Sequence, residues 1–463
     1  MFAEDRENAA TLAADDLRAL ADDLVKRALK AGASDAVAGV SEGDEFSVTV
    51  RMGEVETLEE SGSRSLGLRV FDGHRSATAS TSDLTREGLE QLLSSVMGLV
   101  KITEPDPCAG LAEASEMGVF GGDLHLAFED VYALPVAERI TLARRAEAAA
   151  LSADERIRNS AGATFSAATA RRVLANSRGF SAEYRSSHCG LSVVPIAVDE
   201  SGAMQRDSWW SSARRLSDLE SAESVGAEAS RRALRMLGAR RVATQQVPIV
   251  FSPEAARTLL GHLFEAASGD AIWRSASFLA GRLGETIAAP ALTIVDDHTL
   301  VLPNGTGGFG SRPFDGDGLP TRRTAVVDHG VLRTWLLNVY AARKLGLRST
   351  GNATGGGIGA GNLFLLPGEA SPEAMIRGVK RGLYVTSVMG FGVNLVTGDY
   401  SRGASGLWIE DGELTHAVEE ITIAGNLSEI FRNVVAVGND LEFRGSVVSP
   451  TLCVEGMTIA GAG

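Results

Sequence analysis

The stretch VPIVFSPEAARTLLGHLFEAASGDAIWRSASFLAGRLGET, residues 247–286, decides how the second half of the chain is organised. Its short apolar run at 247–251 predicts a strand. Ser252 then offers an N-cap oxygen, and Pro253 stands at the first helical position. Leucines and a phenylalanine recur at helical spacing after it, so a helix is expected over 253–268.

That helix carries an incomplete metal-binding pattern, Gly261-His262-Leu263-Phe264-Glu265-Ala266. A zinc-peptidase helix needs two imidazoles about one turn apart, plus a carboxylate that takes a proton from the metal-bound water. Here one imidazole and one carboxylate, His262 and Glu265, are present where two imidazoles are needed. The pattern indicates a metalloprotease helix without its ligands.

The composition limits the classes of protein to which this chain can belong. The chain has 463 residues, 44% hydrophobic and 22% charged, which suits a soluble globular protein of two to three domains. Its net charge of −15 argues against a nucleic-acid partner, which would require a basic face. No apolar run approaches the ~20 residues of a membrane helix, and the acidic N-terminus has no signal core. We therefore expect a cytoplasmic protein without a membrane partner.

The three cysteines, Cys108, Cys189 and Cys453, form an odd count without metal-ligand spacing. Free thiols in a reducing compartment are expected. The pair His188-Cys189 is adjacent in the sequence, but neighbours on a strand point to opposite faces. A catalytic cysteine activated by this histidine is therefore disfavoured.

The predicted fold class is α+β with two domains. The N-terminal domain, residues 1–240, places helices on an antiparallel sheet and includes an irregular connector near 102–133. The C-terminal domain, residues 241–463, is Gly-rich and mostly antiparallel β with a few helices, among them the helix at 253–268. The boundary is placed near 240–244.

Several local predictions in the first half rest on glycines that separate apolar runs and on segments rich in helix-forming residues. One amphipathic helix is predicted over 8–32 and a long helix over 212–237. Separate strands are predicted on either side of Gly43 and on either side of residues 168–169. In the second half, Asp-His-Gly at 328–330 and Asp-Gly at 411–412 predict hairpin turns.

The seven histidines provide no local pair of metal ligands. None is three or four residues from another; they are His74, His125, His188, His262, His298, His329 and His416. A site built from distant histidines stays open as an alternative. His329 lies in a predicted hairpin turn and His298 follows two aspartates, so both are expected to be solvated.

Two Gly-rich loops, 304–310 and 354–362, lack the strand-loop-helix context of a dinucleotide cradle. Glycine lets one backbone approach another closely, which suits a flap or a loop that contacts a peptide or a partner. The candidate contact residues are Gly307, Gly308, Gly356, Gly357 and Asn362. A plain surface loop is the alternative.

The helix at 253–268 and the segments that follow it, WRSASFL at 273–279 and GRLGE at 281–285, resemble the TldD/PmbA family, and more closely its PmbA (TldE) branch. The likeness extends over most of the chain. Further matching segments are GASD at 32–35, SLGLRV at 65–70, DHGVL at 328–332, TGNA at 350–353, GNL at 425–427 and VGNDL at 437–441.

In that family, TldD-type chains carry a His-Glu-x-x-x-His helix and a downstream cysteine that together hold zinc. At the matching positions of this sequence stand Gly261, His262 and Ala266, so both zinc histidines are absent. No cysteine occurs between 438 and 450, and Cys453 lies in a later predicted strand. The resemblance therefore implies a chain without a metal or other cofactor of its own, and without catalytic residues.

The function implied by the resemblance is that of a TldE-like subunit. Its partner would be a TldD-type zinc metallopeptidase chain, and the heterodimer would trim or degrade unstructured peptides. The isolated chain would be an inactive pseudoprotease. Two alternatives stay open: a peptide-binding or scaffold homodimer without catalysis, and a stand-alone hydrolase with a non-local site that includes His262 and Glu265.

Overall fold

The structure, a computed structural model, describes residues 17–461. Helix α1 (Leu17–Lys30) buries Leu20, Leu24 and Val25 on one face, in agreement with the amphipathic pattern. The start of the predicted helix, 8–16, lies outside the described residues. Gly32 follows the helix at φ 104°, a conformation that favours glycine.

One antiparallel sheet of seven strands forms the first half. Its strands are β1 (Asp35–Arg51), β2 (Glu54–Asp72), β3 (Arg75–Thr81), β4 (Ile157–Asn176), β5 (Ser181–Val198), β6 (Met204–Arg206) and β7 (Trp209–Ala213). Their order is β3-β2-β1-β4-β5-β6, and β7 also pairs with β5. Four of these strands are 17 to 20 residues long.

The prediction of separate strands around Gly43 is wrong, because β1 runs through this glycine. A Cβ at Gly43 would lie 2.6 Å from the carbonyl oxygen of Thr169 on β4. The glycine therefore allows two paired strands to approach closely instead of ending one of them. The two strands predicted around residues 168–169 are likewise one strand, β4.

Helices cover one face of this sheet. They are α2 (Arg86–Val100), α3 (Asp130–Ala133), α4 (Val136–Ser152) and α5 (Ala222–Leu234), with 3₁₀ turns at Ala114–Glu116 and Leu216–Asp218. α1 and α2 enclose one core with the start of β1, and α4 and α5 enclose a second core with β4 and β5. Between the two pairs of helices, 101–129 is irregular apart from one 3₁₀ turn.

The helix predicted over 212–237 begins later than expected. Ser221 caps α5 through its Oγ, which accepts from the N–H of Ser224 at 3.1 Å. Before that cap, burial alternates along β7 with a period of two residues. Helix-favouring composition was therefore misleading at 212–220, where β7 ends and a 3₁₀ turn follows.

Two sheets form the second half. The larger contains β8 (Gln245–Phe251), β15 (Arg381–Met389), β16 (Asp399–Glu410), β17 (Glu413–Asn426), β18 (Val434–Val437) and β20 (Leu452–Ala460). The smaller contains β9 (Ile294–Asp297), β10 (Arg323–Asp328), β11 (Val331–Leu332), β14 (Asn362–Leu365) and β19 (Val447–Val448). A short hairpin, β12 (Ala353–Thr354) and β13 (Gly357–Ile358), stands apart from both.

The larger sheet closes on itself. Its order is β17-β16-β15-β8-β20-β18, and β17 pairs in addition with β20. Only the β8–β15 pair in this sheet is parallel. The helices of this half are α6 (Pro253–Ala267), α7 (Gly269–Trp273), α8 (Val339–Leu345), α9 (Pro372–Arg377) and α10 (Leu427–Arg432).

α6 lies between the two sheets. Its leucines share one core with Ile249 and Phe251 of the larger sheet and with Ile294 and Leu363 of the smaller one. This packing fixes which side of α6 can be reached from solvent. The position of the incomplete metal pattern is therefore set by the core.

Both predicted hairpin turns are confirmed. His329 and Gly330 have φ of 47° and 80°, and Asp411 and Gly412 have φ of 47° and 81°. Two successive left-handed residues are typical of the type I′ turn that joins antiparallel strands. The segment 390–398 forms the loop between β15 and β16.

The predicted fold class, α+β with antiparallel sheets, is confirmed. The division into two domains near residue 240 stays a prediction. Of the helices described over 17–461, none is long and apolar enough to cross a membrane.

Candidate functional site

Helix α6 begins as its sequence predicts. The Oγ of Ser252 accepts from the N–H of Ala255 at 3.4 Å, and Pro253 occupies the first turn. Leu259, Leu260 and Leu263 are almost fully buried. The remaining face of the helix carries Gly261, His262 and Glu265.

The motif positions differ sharply in environment. Gly261 is half-buried, and a Cβ there would meet no atom within 4 Å. His262 is half-buried, Glu265 is exposed, and Ala266 is completely buried. Only His262 and Glu265 come together, with 3.6 Å between Nδ1 and Oε2.

An arginine from a neighbouring strand occupies the other side of His262. The Nη1 atom of Arg402, on β16, lies 3.1 Å from Nε2 of His262. Because a guanidinium can only donate, Nε2 accepts this hydrogen bond. Burial lowers the pKa of His262; Glu265 opposes this shift, and the charge of Arg402 adds to it. The imidazole is therefore favoured in its neutral form, with its proton on Nδ1.

This arrangement does not fit zinc. A zinc ion needs three or four nitrogen, sulfur or oxygen donors with free lone pairs. The Nε2 lone pair of His262 is already used by a cation, which would also repel a metal ion. Within 17–461, no three His, Cys, Asp or Glu side chains are grouped as a metal site.

Cys453 lies on the face of the larger sheet that points away from α6, so its thiol cannot join His262 as a metal ligand. It pairs with Val250 across β20 and β8, and both pack in a small cluster with Met375 and Ile409. The residues of β8 that contact the α6 core, Ile249 and Phe251, point the other way. Burial raises the pKa of the Cys453 thiol to about 11, so it is a poor thiolate donor.

The prediction of free thiols is confirmed. Cys108, Cys189 and Cys453 are all free. Cys189 is buried, and this burial raises its pKa to about 12. His188 lies on the opposite face of β5 and stacks edge-on against Phe309. No activated cysteine results from this pair.

The first Gly-rich loop is packed and not open. A Cβ at Gly307 would lie 2.3 Å from the carbonyl oxygen of Leu124, and one at Gly308 would lie 2.4 Å from Oδ1 of Asn362. Asn362 is buried, and its amide donates to the carbonyl of Asp297 at 2.6 Å. These glycines allow close backbone packing.

In the second loop, Gly356 and Gly357 lie at the turn between β12 and β13. Gly356 is exposed, and a Cβ there would meet no atom within 4 Å. Of the five loop residues named from the sequence, only these two are placed where a peptide or partner can reach them.

The expectation that His298 is solvated is wrong. Its side chain has no exposure, and Nε2 lies 3.0 Å from Oδ2 of Asp296, which is also fully buried. The amide of Asn352 donates to the same carboxylate at 2.6 Å, and the N–H of Gly361 donates to its other oxygen at 2.7 Å. This network connects the base of the second Gly-rich loop to β9.

Arg214 is a further important residue, and no local sequence pattern indicates its role. This buried guanidinium donates to the carbonyls of Gly307 and Gly308, both at 2.7 Å, and to that of Phe309 at 3.1 Å. Burial lowers its pKa to about 10. Its place directly after β7 gave no sign of this role, since its partners lie almost a hundred residues later.

A groove of about 850 Å³ lies near Cys453, on the face of the sheet away from α6. Its walls include Met375, Val379 and Val435, and its rim carries Lys380 and Glu455. Charges of both signs surround it. The groove therefore does not indicate one class of ligand.

Three sequence models of one family match the chain. The PmbA/TldA metallopeptidase domain 1 matches 36–100, the central domain matches 129–237, and the C-terminal domain matches 244–461. Together they span most of the chain, including α6.

Curated relatives are similar along nearly their whole length. Metalloprotease PmbA of Escherichia coli O157:H7 is 40% identical over 96% of this chain and 97% of its own length. The PmbA homolog of Haemophilus influenzae is 36% identical over 96% of each chain.

Solved structures share the fold. A Bacteroides thetaiotaomicron protein, described as a proposed modulator of DNA gyrase, matches with a TM-score of 0.89 and 29% identity over 97% of this chain and 99% of its own. TldE from Thermococcus kodakarensis matches with a TM-score of 0.84 over 96% of this chain and 100% of its own. At 20% identity, the second likeness concerns the fold alone. From these matches, the chain is a member of the PmbA/TldA metallopeptidase family and falls in its PmbA (TldE) branch.

Proposed function

We propose that this chain is the zinc-free subunit of a heterodimeric metallopeptidase. Its partner is a TldD-type chain that carries the His-Glu-x-x-x-His helix and holds the zinc. The complex trims or degrades unstructured peptides in the cytoplasm. The chain by itself is inactive.

One observation carries the proposal: the donor set of α6. Gly261 and Ala266 have no donor atom, and Arg402 uses the accepting nitrogen of His262. Cys453 points away from this helix, as shown above. A side-chain set of this kind offers no open metal coordination site. The hydrolytic chemistry is therefore assigned to another polypeptide.

The family supports the second part of the proposal. Two relatives that span nearly the whole chain are named Metalloprotease PmbA or its homolog. These names, together with the donor set of α6, support a second, metal-bearing subunit. What this chain contributes is shape: sheet edges and loops that hold an extended peptide near that metal.

The proposal is tested by co-expression with a TldD-type chain that carries His-Glu-x-x-x-His, with an affinity tag on the present chain only. We expect the two chains to co-purify, and the complex to cleave a fluorogenic unstructured peptide. Replacement of a motif histidine in the partner should abolish cleavage. His262→Ala in this chain should leave the rate within a few fold.

Failure of the zinc chain to co-purify would contradict the proposal and favour the scaffold homodimer. Peptide cleavage by the isolated chain, abolished by His262→Ala, would instead favour a stand-alone hydrolase. Sedimentation of the isolated chain distinguishes a monomer from a homodimer in the same preparation.

A further inference from the structure

We propose that the outer edge of β2, over residues 54–65, binds an extended peptide rich in lysine or arginine as an added strand. The inference deepens the proposed function and rests on it for the fate of the peptide. Binding itself can be measured on this chain alone.

The edge is unoccupied over twelve residues. β3 pairs with β2 only from Leu66 to Asp72. The segment 54–65 is exposed at every position, and among residues 17–461 it pairs only with β1. Its outer N–H and C=O groups therefore face solvent, which is the geometry that strand addition uses.

The same segment continues an apolar face beyond its covering helices. Val55 and Leu58 pair directly with Val50 and Val48 of β1, whose side chains are completely buried. Directly paired residues share a face of the sheet. Val55 and Leu58 are nevertheless 38% and 46% exposed. An added strand with an apolar side chain beside each of them would extend the core face.

The charges of the edge select a basic occupant. Glu54, Glu59 and Glu60 are exposed and have no ion-pair partner among the described residues. The two arginines near the edge are already paired: Arg51 with Glu56 at 3.3 Å and Arg64 with Glu42 at 2.6 Å. Lysine or arginine in a strand near the three free glutamates would be favourable, and acidic side chains would be repelled.

The same charges disfavour a second copy of this chain as the occupant. Antiparallel self-pairing of the edge would place the unpaired glutamates of two identical strands in one seam. Like charges across paired strands are destabilising. The occupant is therefore a strand of opposite charge.

The test uses fluorescence anisotropy with a labelled twelve-residue peptide of alternating lysine and valine. We expect saturable binding to the wild-type chain. The triple variant Glu54→Lys, Glu59→Lys and Glu60→Lys should bind it roughly tenfold more weakly or worse. The matched control, Glu104→Lys, Glu116→Lys and Glu155→Lys, changes the net charge equally at exposed positions elsewhere and should bind like wild type.

Two further peptides test the strand geometry. A peptide of alternating glutamate and valine should not bind. The lysine–valine peptide with alternate backbone nitrogens methylated keeps its charge but cannot pair along its full length, and it should bind much more weakly. Equal binding of the methylated peptide, or equal loss in both triple variants, would overturn the inference.

Co-purification with the TldD-type chain separates this inference from the proposed function. Lost peptide binding with retained assembly in the edge variant supports the inference. Lost assembly in that variant identifies the edge as the subunit interface and overturns it, as does a change in the sedimentation mass of the isolated chain. If wild type binds the peptide but never assembles with a zinc chain, only the proposed function fails.

Discussion

His262 shows how one neighbouring side chain alters the chemistry of a motif position. On α6 alone, an imidazole one turn from a carboxylate would indicate a metal or acid–base site. The guanidinium of Arg402 lies 3.1 Å from Nε2 and donates a hydrogen bond to it. The lone pair of this nitrogen is therefore not free to bind a metal ion or a proton. The sequence could predict the missing donors at Gly261 and Ala266. It could not predict Arg402, which is 140 residues away.

Restoring the two histidines should have very different costs. Ala266 has no exposure, so Ala266→His would overfill the core and bury an imidazole without a partner. We expect a loss of about 1–3 kcal/mol or more in the free energy of unfolding. Gly261→His is the matched control, since a Cβ there meets open space, and it should be nearly neutral. Urea unfolding measures both; equal costs would show that the two positions are not distinguished by packing.

A buried pair of aspartates should make stability depend on pH. Burial and, to a lesser extent, the charge of Asp317 raise the pKa of Asp315 to about 7. Burial also raises the pKa of Asp317, although Arg69 and Arg343 oppose this shift. A carboxyl with a raised folded pKa stabilises the fold fully below its unfolded pKa of about 4, and that contribution is lost as the pH rises through 7.

Asp317→Asn should therefore become more favourable relative to wild type as the pH rises from 4 to 8. The difference between their unfolding free energies should therefore change steadily in this direction across that range. Urea unfolding at four pH values across this range provides the measurement. A difference that stays constant, or that falls with pH, would contradict the assignment.

The burial of His298 could not be predicted from the residues around it. The run Asp296-Asp297-His298 is polar and reads as a solvated turn. Its burial depends on Asn352 and Gly361, which are more than fifty residues later. Local composition does not contain that contact.

At the scale of the element, α6 was predictable because its signals are local. The cap at Ser252, proline in the first turn and leucine spacing all lie within the helix. The sequence predicts β1 and β4 only in pieces, and for β1 the reason is that a glycine such as Gly43 is typical of a strand end. At Gly43 the reason for glycine is the approach of β4, which only the paired sheet reveals.

The buried face of α6 should dominate its contribution to stability. Leu260 has no exposure, whereas Phe264 only packs against the edge of the same core. We expect Leu260→Ala to cost about 2–5 kcal/mol and Phe264→Ala clearly less than the 3–5 kcal/mol of a fully buried phenylalanine. Thermal and urea unfolding of the two variants provide the comparison. A larger cost for Phe264→Ala would place that ring in the core.

At the scale of the whole molecule, Arg214 connects the two halves of the chain. Its guanidinium follows β7 in the first sheet and donates to three carbonyls of the 304–310 loop in the second half. Arg214→Met keeps the length of the side chain but leaves those carbonyls without their donor. We expect a loss of about 2–4 kcal/mol and faster hydrogen exchange in the 304–310 loop.

Arg145→Met is the control for that prediction. Arg145 is exposed on α4 and pairs with Glu223 at 2.9 Å, far from the 304–310 loop, so its loss should leave the free energy of unfolding and the exchange of that loop nearly unchanged. Equal effects of the two substitutions would contradict the role assigned to Arg214. Such a link between distant segments could not be predicted from the sequence, although the α+β class could.

The proposed function requires that the catalytic zinc is held by the partner and not by this polypeptide. The most direct measurement is the zinc content of the isolated chain by inductively coupled plasma mass spectrometry, after incubation with zinc and dialysis. We expect a content far below one zinc per chain, equal in wild type and in His262→Ala. One tightly held zinc per wild-type chain, lost in His262→Ala, would overturn the proposed function.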